Sequence, residues 1–261
     1  MKKFKYISLW LGIIIYLVVV LGFVSDNQGK VVCNAINIYI QGDDKKSFIN
    51  NNDVLMLMDK KHFKYIGVPI DSLNTMMLEN FMYQYPAVKK ADAYTNIDGI
   101  LNIVIKQRKP VVRIINNNGR SFYIDENGFI MPGSERFTAY VLVANGFIND
   151  NLLVERTKSV FNKDSLGNLI PSQLLDLYNL SDFINDDDLW NAQIEQIYVN
   201  DINELVLVPR VGSHLILFGN ADQIEMKFRK LKSIYKIFNT IGWNRYRTIN
   251  LKFRNQIICT K

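Results

Sequence analysis

Residues 88–107 read VKKADAYTNIDGILNIVIKQ. Apolar and polar residues alternate on both sides of Asp98-Gly99, a pair that suits a tight hairpin turn because both residues tolerate positive φ. The spacing predicts strands over 88–95 and 100–107, with Val88, Ala91 and Ile103 in the core. Upstream, Pro86 stops a helix expected over 71–85, which Pro69 and Asp71 open. Leu73, Met76, Met77, Asn80 and Phe81 recur at near-helical spacing and are expected to face the core. A shorter helix containing Val54, Leu55 and Leu57 is expected to be capped by Asn51 or Asn52. The run VCNAINIYI at 32–40 alternates and is rich in β-branched residues, so it reads as a strand. The order is strand, helix, helix, strand, strand.

Downstream, from 108 to 261, strands dominate. Asn-Gly recurs at Asn118-Gly119, Asn127-Gly128 and Asn145-Gly146, each next to an apolar run, which predicts a meander of hairpins. Residues 173–192 read as helical and acidic. Residues 193–199, 204–211 and 214–219 read as strands. A long helix is expected over 222–241, capped by Asp222 and ended by Gly242. Its apolar stripe is Ile224, Phe228, Leu231, Tyr235, Phe238 and Ile241. Strands are expected at 247–253 and 256–261. The fold class is therefore α+β.

The amino terminus sets the compartment. Residues 7–24, ISLWLGIIIYLVVVLGFV, carry no charge. At about 1.5 Å per residue the run spans about 27 Å, close to the thickness of a hydrocarbon core. Lys2, Lys3 and Lys5 precede it, so a transmembrane helix here leaves a cytoplasmic stub at 1–6 and exports the rest. Trp10 and Tyr16 are expected to contact lipid or one partner helix. A cleaved signal peptide fits less well, because its apolar region is usually about 7–15 residues and ends at small residues. A lipoprotein signal fits poorly too, since Val31 and Val32 precede Cys33. The chain has 261 residues and a net charge of +6. The three amino-terminal lysines account for half of it, leaving +3 for the exported part.

With 48% hydrophobic and 21% charged residues, the chain can bury a core, which excludes wholesale disorder. Six prolines and 14 glycines exclude collagen-like material. Two cysteines, Cys33 and Cys259, cannot build a disulfide framework or a four-cysteine zinc site, and free thiols are expected. Two histidines exclude a three-histidine metal centre. No phosphate loop, dinucleotide fingerprint or GxSxG elbow is present. Ser213 and His214 are adjacent on a strand and so point to opposite faces; His214 reads as a half-exposed strand residue. His62 reads as solvated. Asp186, Asp187 and Asp188 read as a solvated helix end, because a calcium loop would need a glycine and a distal glutamate. Asp125-Glu126-Asn127-Gly128 reads as a turn. Lys227, Arg229, Lys230, Lys232 and Lys236 read as a solvated face or one weakly drawn to anionic head groups. The residues offer no catalytic set, no cofactor or metal site, and no nucleic-acid or small-molecule partner.

Four stretches carry a resemblance. Tyr85-Pro86-Ala87-Val88 with Ala91 and Tyr94 is similar to a "P-x-V" lead into a second strand. Residues 103–105 with Gln107-Arg108-Lys109-Pro110 are similar to a "V-x-Q-R-x-P" junction. Tyr123-Ile124-Asp125, Gly128 and Met131-Pro132 are similar to a "Y-x-D-x-x-G-x-x-M-P" hairpin. Ile249-Asn250-Leu251-Lys252-Phe253 is similar to "(I/V)-D-L-R-Y". Together, over nearly the whole chain, they resemble the FtsQ (DivIB) family of bacterial division proteins. Asn250 and Lys252 depart from the usual aspartate and arginine, and no aromatic residue closes the last strand.

The resemblance implies a POTRA domain (polypeptide-transport-associated) at 32–107 and an FtsQ-type β-domain, mainly antiparallel with helices, at 108–261. It implies a non-enzymatic scaffold in the cytoplasmic membrane at the midcell septum. It also implies FtsB-like and FtsL-like partners on the β-domain and upstream division proteins on the POTRA domain. The last strand is a proline-free edge, uncharged until Lys261 and open to strand addition; the alternative is a strand that is central or simply ends the fold against the 222–241 helix. The expected partner contacts are Phe253, Asn255, Gln256, Ile257, Ile258 and Thr260. The rival readings are a membrane-anchored POTRA protein of an export or outer-membrane assembly system, and an anchored hydrolase. Too few residues follow the POTRA-like region to build a membrane barrel. Sparse histidine and the missing elbow argue against a hydrolase.

Overall fold

The structure, a computed structural model, describes residues 10–21, 31–42, 47–134, 136–149 and 159–261. Residues 10–21 form helix α1, exposed throughout. Among the described residues no helix is long and apolar enough to cross a membrane. The remainder of the 7–24 run lies outside them. The chain divides into two units, Met1–Gln107 and Arg108–Lys261.

In the first unit the order is β1 (Ala35–Gln41), α2 (Asn51–Lys60), a 3-10 turn (Ile70–Ser72), α3 (Thr75–Tyr83), β2 (Val88–Thr95) and β3 (Ile100–Gln107). The sheet runs β1-β3-β2, with β1 parallel and β2 antiparallel to the central β3. Val88, Leu101, Ile103 and Ile105 are buried beneath Val54 and Met58 of α2 and Leu78 and Met82 of α3. Gly99 turns the β2–β3 hairpin at φ 79.

Two local expectations change. The cap of α2 is Asn50, which forms a reciprocal capping box with Asp53. The helix expected over 71–85 is broken, because Leu73 is extended and Asn74 recaps the chain by accepting from Met77 N–H at 2.8 Å. The helical phase restarts there. Leu78 and Met82 therefore face inward, while Met76 and Met77 stand 69% and 58% exposed.

The second unit contains β4 (Pro110–Ile115), β5 (Ser121–Asp125), β6 (Ile130–Pro132), β7 (Leu142–Gly146), α4 (Gln173–Asp186), α5 (Asp188–Gln193), β8 (Ile194–Val199), β9 (Leu205–Pro209), β10 (Leu215–Gly219), α6 (Ile224–Ile241), β11 (Thr248–Asn250) and β12 (Ile258–Thr260). One nine-stranded sheet runs β12-β11-β10-β9-β8-β7-β4-β5-β6. Asn118-Gly119 and Asn127-Gly128 turn the β4–β5 and β5–β6 hairpins. Asn145-Gly146 does not turn a hairpin. It ends β7, which lies parallel to both β4 and β8. With β10 and β11 also parallel, the sheet is mixed and not a meander. Parallel neighbours need a crossover, and here helices supply two of them. Helices α4 and α5 connect β7 to β8, and α6 connects β10 to β11. Asp187 caps α5 by accepting from the Leu189 and Trp190 amides.

The stripe of α6 buries Phe228, Leu231, Tyr235 and Phe238 on the same core as Ile216, Phe218 and Ile249 of the sheet and Leu251 just beyond β11. Its amino-terminal cap is Gln223, in a left-handed conformation and without a side-chain bond, while Gly242 ends the helix as expected. His214 is a correction: it is 1% exposed, and its Nε2 lies 3.1 Å from the Tyr235 hydroxyl. Period-two alternation carries His214 to the same face as Ile216 and Phe218, so burial follows from the strand itself. Burial pushes its pKa below the ordinary histidine value, partly offset by the Trp243 backbone, and pushes that of Tyr235 up. The cationic face of α6 is corrected in part: Arg229, Lys232 and Lys236 are exposed as expected, but two lysines are not. Lys227 is buried, with its Nζ donating to Asn220 O at 2.7 Å, and Lys230 is half-buried.

At the start of the unit Arg108 and Asp125 form a buried ion pair of 3.0 Å. The guanidinium carbon sits 4.2 Å from the Phe129 ring centroid. Asp125 Oδ1 also accepts from the Asn127 and Phe129 amides at 2.9 and 2.7 Å. One carboxylate thus closes the β5–β6 turn and ties it to the residue where the unit begins.

Candidate functional site: the carboxyl-terminal sheet edge

The sheet ends at β12, which has β11 on one side and no other strand beside it among the described residues. Its register is Thr248↔Thr260, Ile249↔Cys259 and Asn250↔Ile258. Strand alternation then decides which side chains are available. Ile257 and Cys259 turn toward the core, and burial raises the pKa of the Cys259 thiol. Ile258 and Thr260 turn outward, with Ile258 39% exposed. Cys33 and Cys259 are both free thiols.

Between β11 and β12 the chain reverses over residues 251–257. Phe253 is 44% exposed, and Asn255 and Gln256 are exposed beside it. Of the six residues expected at a partner site, five are exposed around this edge, and Ile257 instead packs on the core. The strand itself is shorter than the 256–261 expected.

Four residues outside that set hold the reversal in place. Lys230 Nζ donates to Leu251 O at 2.9 Å and to Phe253 O at 2.6 Å. Lys252 Nζ pairs with Glu204 at 3.0 Å. Gly219, at φ 81, lets Lys252 lie close, since a Cβ there would stand 2.9 Å from its Cγ. No local sequence signal marks these contacts, because each joins residues 21 or more positions apart.

The edge offers main-chain donors and acceptors, one exposed aromatic side chain and outward apolar and hydroxyl side chains. That chemistry suits the recognition of an extended polypeptide. Among the described residues no group of three or more His, Cys, Asp or Glu could hold a metal ion. His214, buried beneath α6, stands apart from this edge chemistry.

Comparison with known families bears on both units. A family model described as FtsQ/DivIB, C-terminal related, matches residues 109–260, more than half of the chain. A second, described as a POTRA-like domain, matches residues 31–106. No curated protein matches the chain.

Proposed function

The chain belongs to the FtsQ/DivIB, C-terminal related family, and from that premise we propose that it is a non-enzymatic, single-pass membrane scaffold of bacterial cell division. Its second unit receives FtsB-like and FtsL-like partners, and the POTRA-like unit meets upstream division proteins. The observation that carries this reading is the free edge strand β12 with Phe253 exposed next to it. An edge without proline, and without charge from Asn255 to Thr260, favours addition of a partner strand by main-chain pairing. The lysines ahead of the apolar 7–24 run support an anchor with the carboxyl terminus outside the cytoplasm.

The test is binding of an FtsB-like peptide to the full-length chain in detergent. Ile258→Pro removes an amide donor and disturbs strand pairing at the edge. It is expected to abolish binding while circular dichroism shows a folded protein. Wild-type affinity in the folded variant contradicts strand addition. Topology has its own test: protease added to spheroplasts removes the bulk of the chain if the anchor is as proposed, and survival of that part refutes it. Deleting residues 32–107 while retaining the anchor is expected to abolish midcell recruitment, and normal recruitment counts against the role of the POTRA-like unit.

A further inference from the structure

We propose that Lys230 is a positioning residue for the partner edge, its single ammonium group ordering the 251–257 reversal so that Phe253 and β12 are presented in one conformation. The inference rests on the reading of this edge as the partner site. The geometry is specific. Strand β11 stops at Asn250, where the Leu251 amide makes its last sheet bond, to Leu217 O at 3.0 Å. Beyond it the Lys252 amide turns back to the Asn250 side chain at 3.0 Å. The carbonyls of Leu251 and Phe253 converge on Lys230 Nζ, one helical turn beyond the buried Lys227. A bond to a charged donor is stronger than a neutral one, so two on one ammonium can fix a short exposed reversal. Burial lowers the pKa of Lys230, as expected of an ammonium drawn off the surface.

The neighbouring groove invites a different reading. A cavity of about 210 Å³ is lined by Lys227, Lys230, Lys252 and Arg254, which suggests a seat for an acidic partner segment. The hydrogen bonds argue against it. Lys227 donates to Asn220 O and Oδ1 at 2.7 and 2.9 Å, Lys230 donates to two carbonyls, and Lys252 is paired with Glu204. Those three cations serve the fold, and Lys230 and Lys252 among them hold the reversal. Attraction of an acidic segment then becomes an outcome that the test can detect.

Hydrogen exchange and peptide binding on the full-length chain decide the matter. Lys230→Met keeps the aliphatic stem and removes the donors. It is expected to raise amide exchange across 252–256 about tenfold or more, with exchange in Leu215–Gly219 unchanged. Affinity for an FtsB-like peptide is expected to fall about tenfold, and Lys230→Arg, which retains donors, to restore both. Unchanged exchange at 252–256 in folded Lys230→Met overturns the proposal, as does faster exchange with wild-type affinity. A loss of affinity that high salt reproduces in the wild type, without a change in exchange, assigns the lysine to an acidic partner instead. Should Lys230→Met fail to fold, Lys230→Gln, a shorter and uncharged side chain, decides: faster exchange at 252–256 with native melting supports the role, and wild-type exchange there overturns it. A wild-type chain without affinity for the peptide overturns the partner reading, and the exchange comparison then decides the ordering role alone.

Discussion

The two ends of the nine-stranded sheet are both three-residue strands, yet they are built in opposite ways. At one end β6 reads Ile130-Met131-Pro132, with Ile130 and Met131 buried and a proline that cannot donate. A bridge from Phe129 to Ser159 and the Arg108–Asp125 pair close the turn behind it. At the other end β12 reads Ile258-Cys259-Thr260, without proline and with Ile258 and Thr260 outward. Natural sheets usually block both edges, because an open one invites another chain. Among the described residues one edge is blocked and the other open; on the function proposed above, the first serves stability and the second association.

The largest effect is expected at the closed end. Arg108→Ala strands a fully buried carboxylate, which typically costs about 3–5 kcal/mol. Chemical denaturation of the full-length chain is expected to show a loss of that size. A loss below about 1 kcal/mol would remove the closed end's claim to stability. The variant should also bind an FtsB-like peptide normally wherever it remains folded. At the open end the pattern reverses. Phe253→Ala is expected to weaken peptide binding by about 2 kcal/mol, roughly 30-fold in Kd, with little change in the denaturation midpoint. Equal affinity in calorimetric titration would take Phe253 out of the interface.

A smaller effect concerns pH. His214 is buried against Tyr235 with its pKa depressed, so the folded protein binds fewer protons there than the unfolded chain does. That contribution to stability is present above the unfolded value of about 6.5 and is lost as pH falls below it. The raised pKa values of Asp176 and Asp182 act in the opposite sense, nearer the carboxylate range. Denaturation at about pH 7.5 and pH 5.5 is expected to show a drop in wild type that is reduced in His214→Phe. Equal pH dependence in both would contradict the assignment to His214.

What could be read in advance follows the same division between local and distant causes. The β2–β3 hairpin was legible because alternation and Asp98-Gly99 act within a few residues. The stripe of α6 was legible because its period recurs over five turns. Asn145-Gly146 misled, because glycine there answers a different need. At φ 105, a Cβ on Gly146 would lie 2.2 Å from Val199 O, so the residue permits close approach of β8 and makes no turn. Met76 and Met77 misled because Asn74 recaps the chain and shifts the helical phase. His214 reads as a half-exposed strand residue, although its alternation with Ile216 and Phe218 places it inside. At the candidate site the terminal strand could be read locally, but alternation with Ile249 and Leu251 puts Phe253 on the packed face, and the strand ends at Asn250 before reaching it, which leaves Phe253 44% exposed. The grip of Lys230 on Leu251 and Phe253 could not be read locally, since only the folded sheet brings a helix side chain to carbonyls more than twenty residues away.

The central claim, one edge for stability and one for a partner, is tested most directly by hydrogen exchange on the full-length chain with and without an FtsB-like peptide. The account predicts new protection confined to 253–260, with exchange at Ile130–Pro132 already slow and unchanged by the peptide. Protection gained around β6, or binding that leaves 253–260 unprotected, would contradict it.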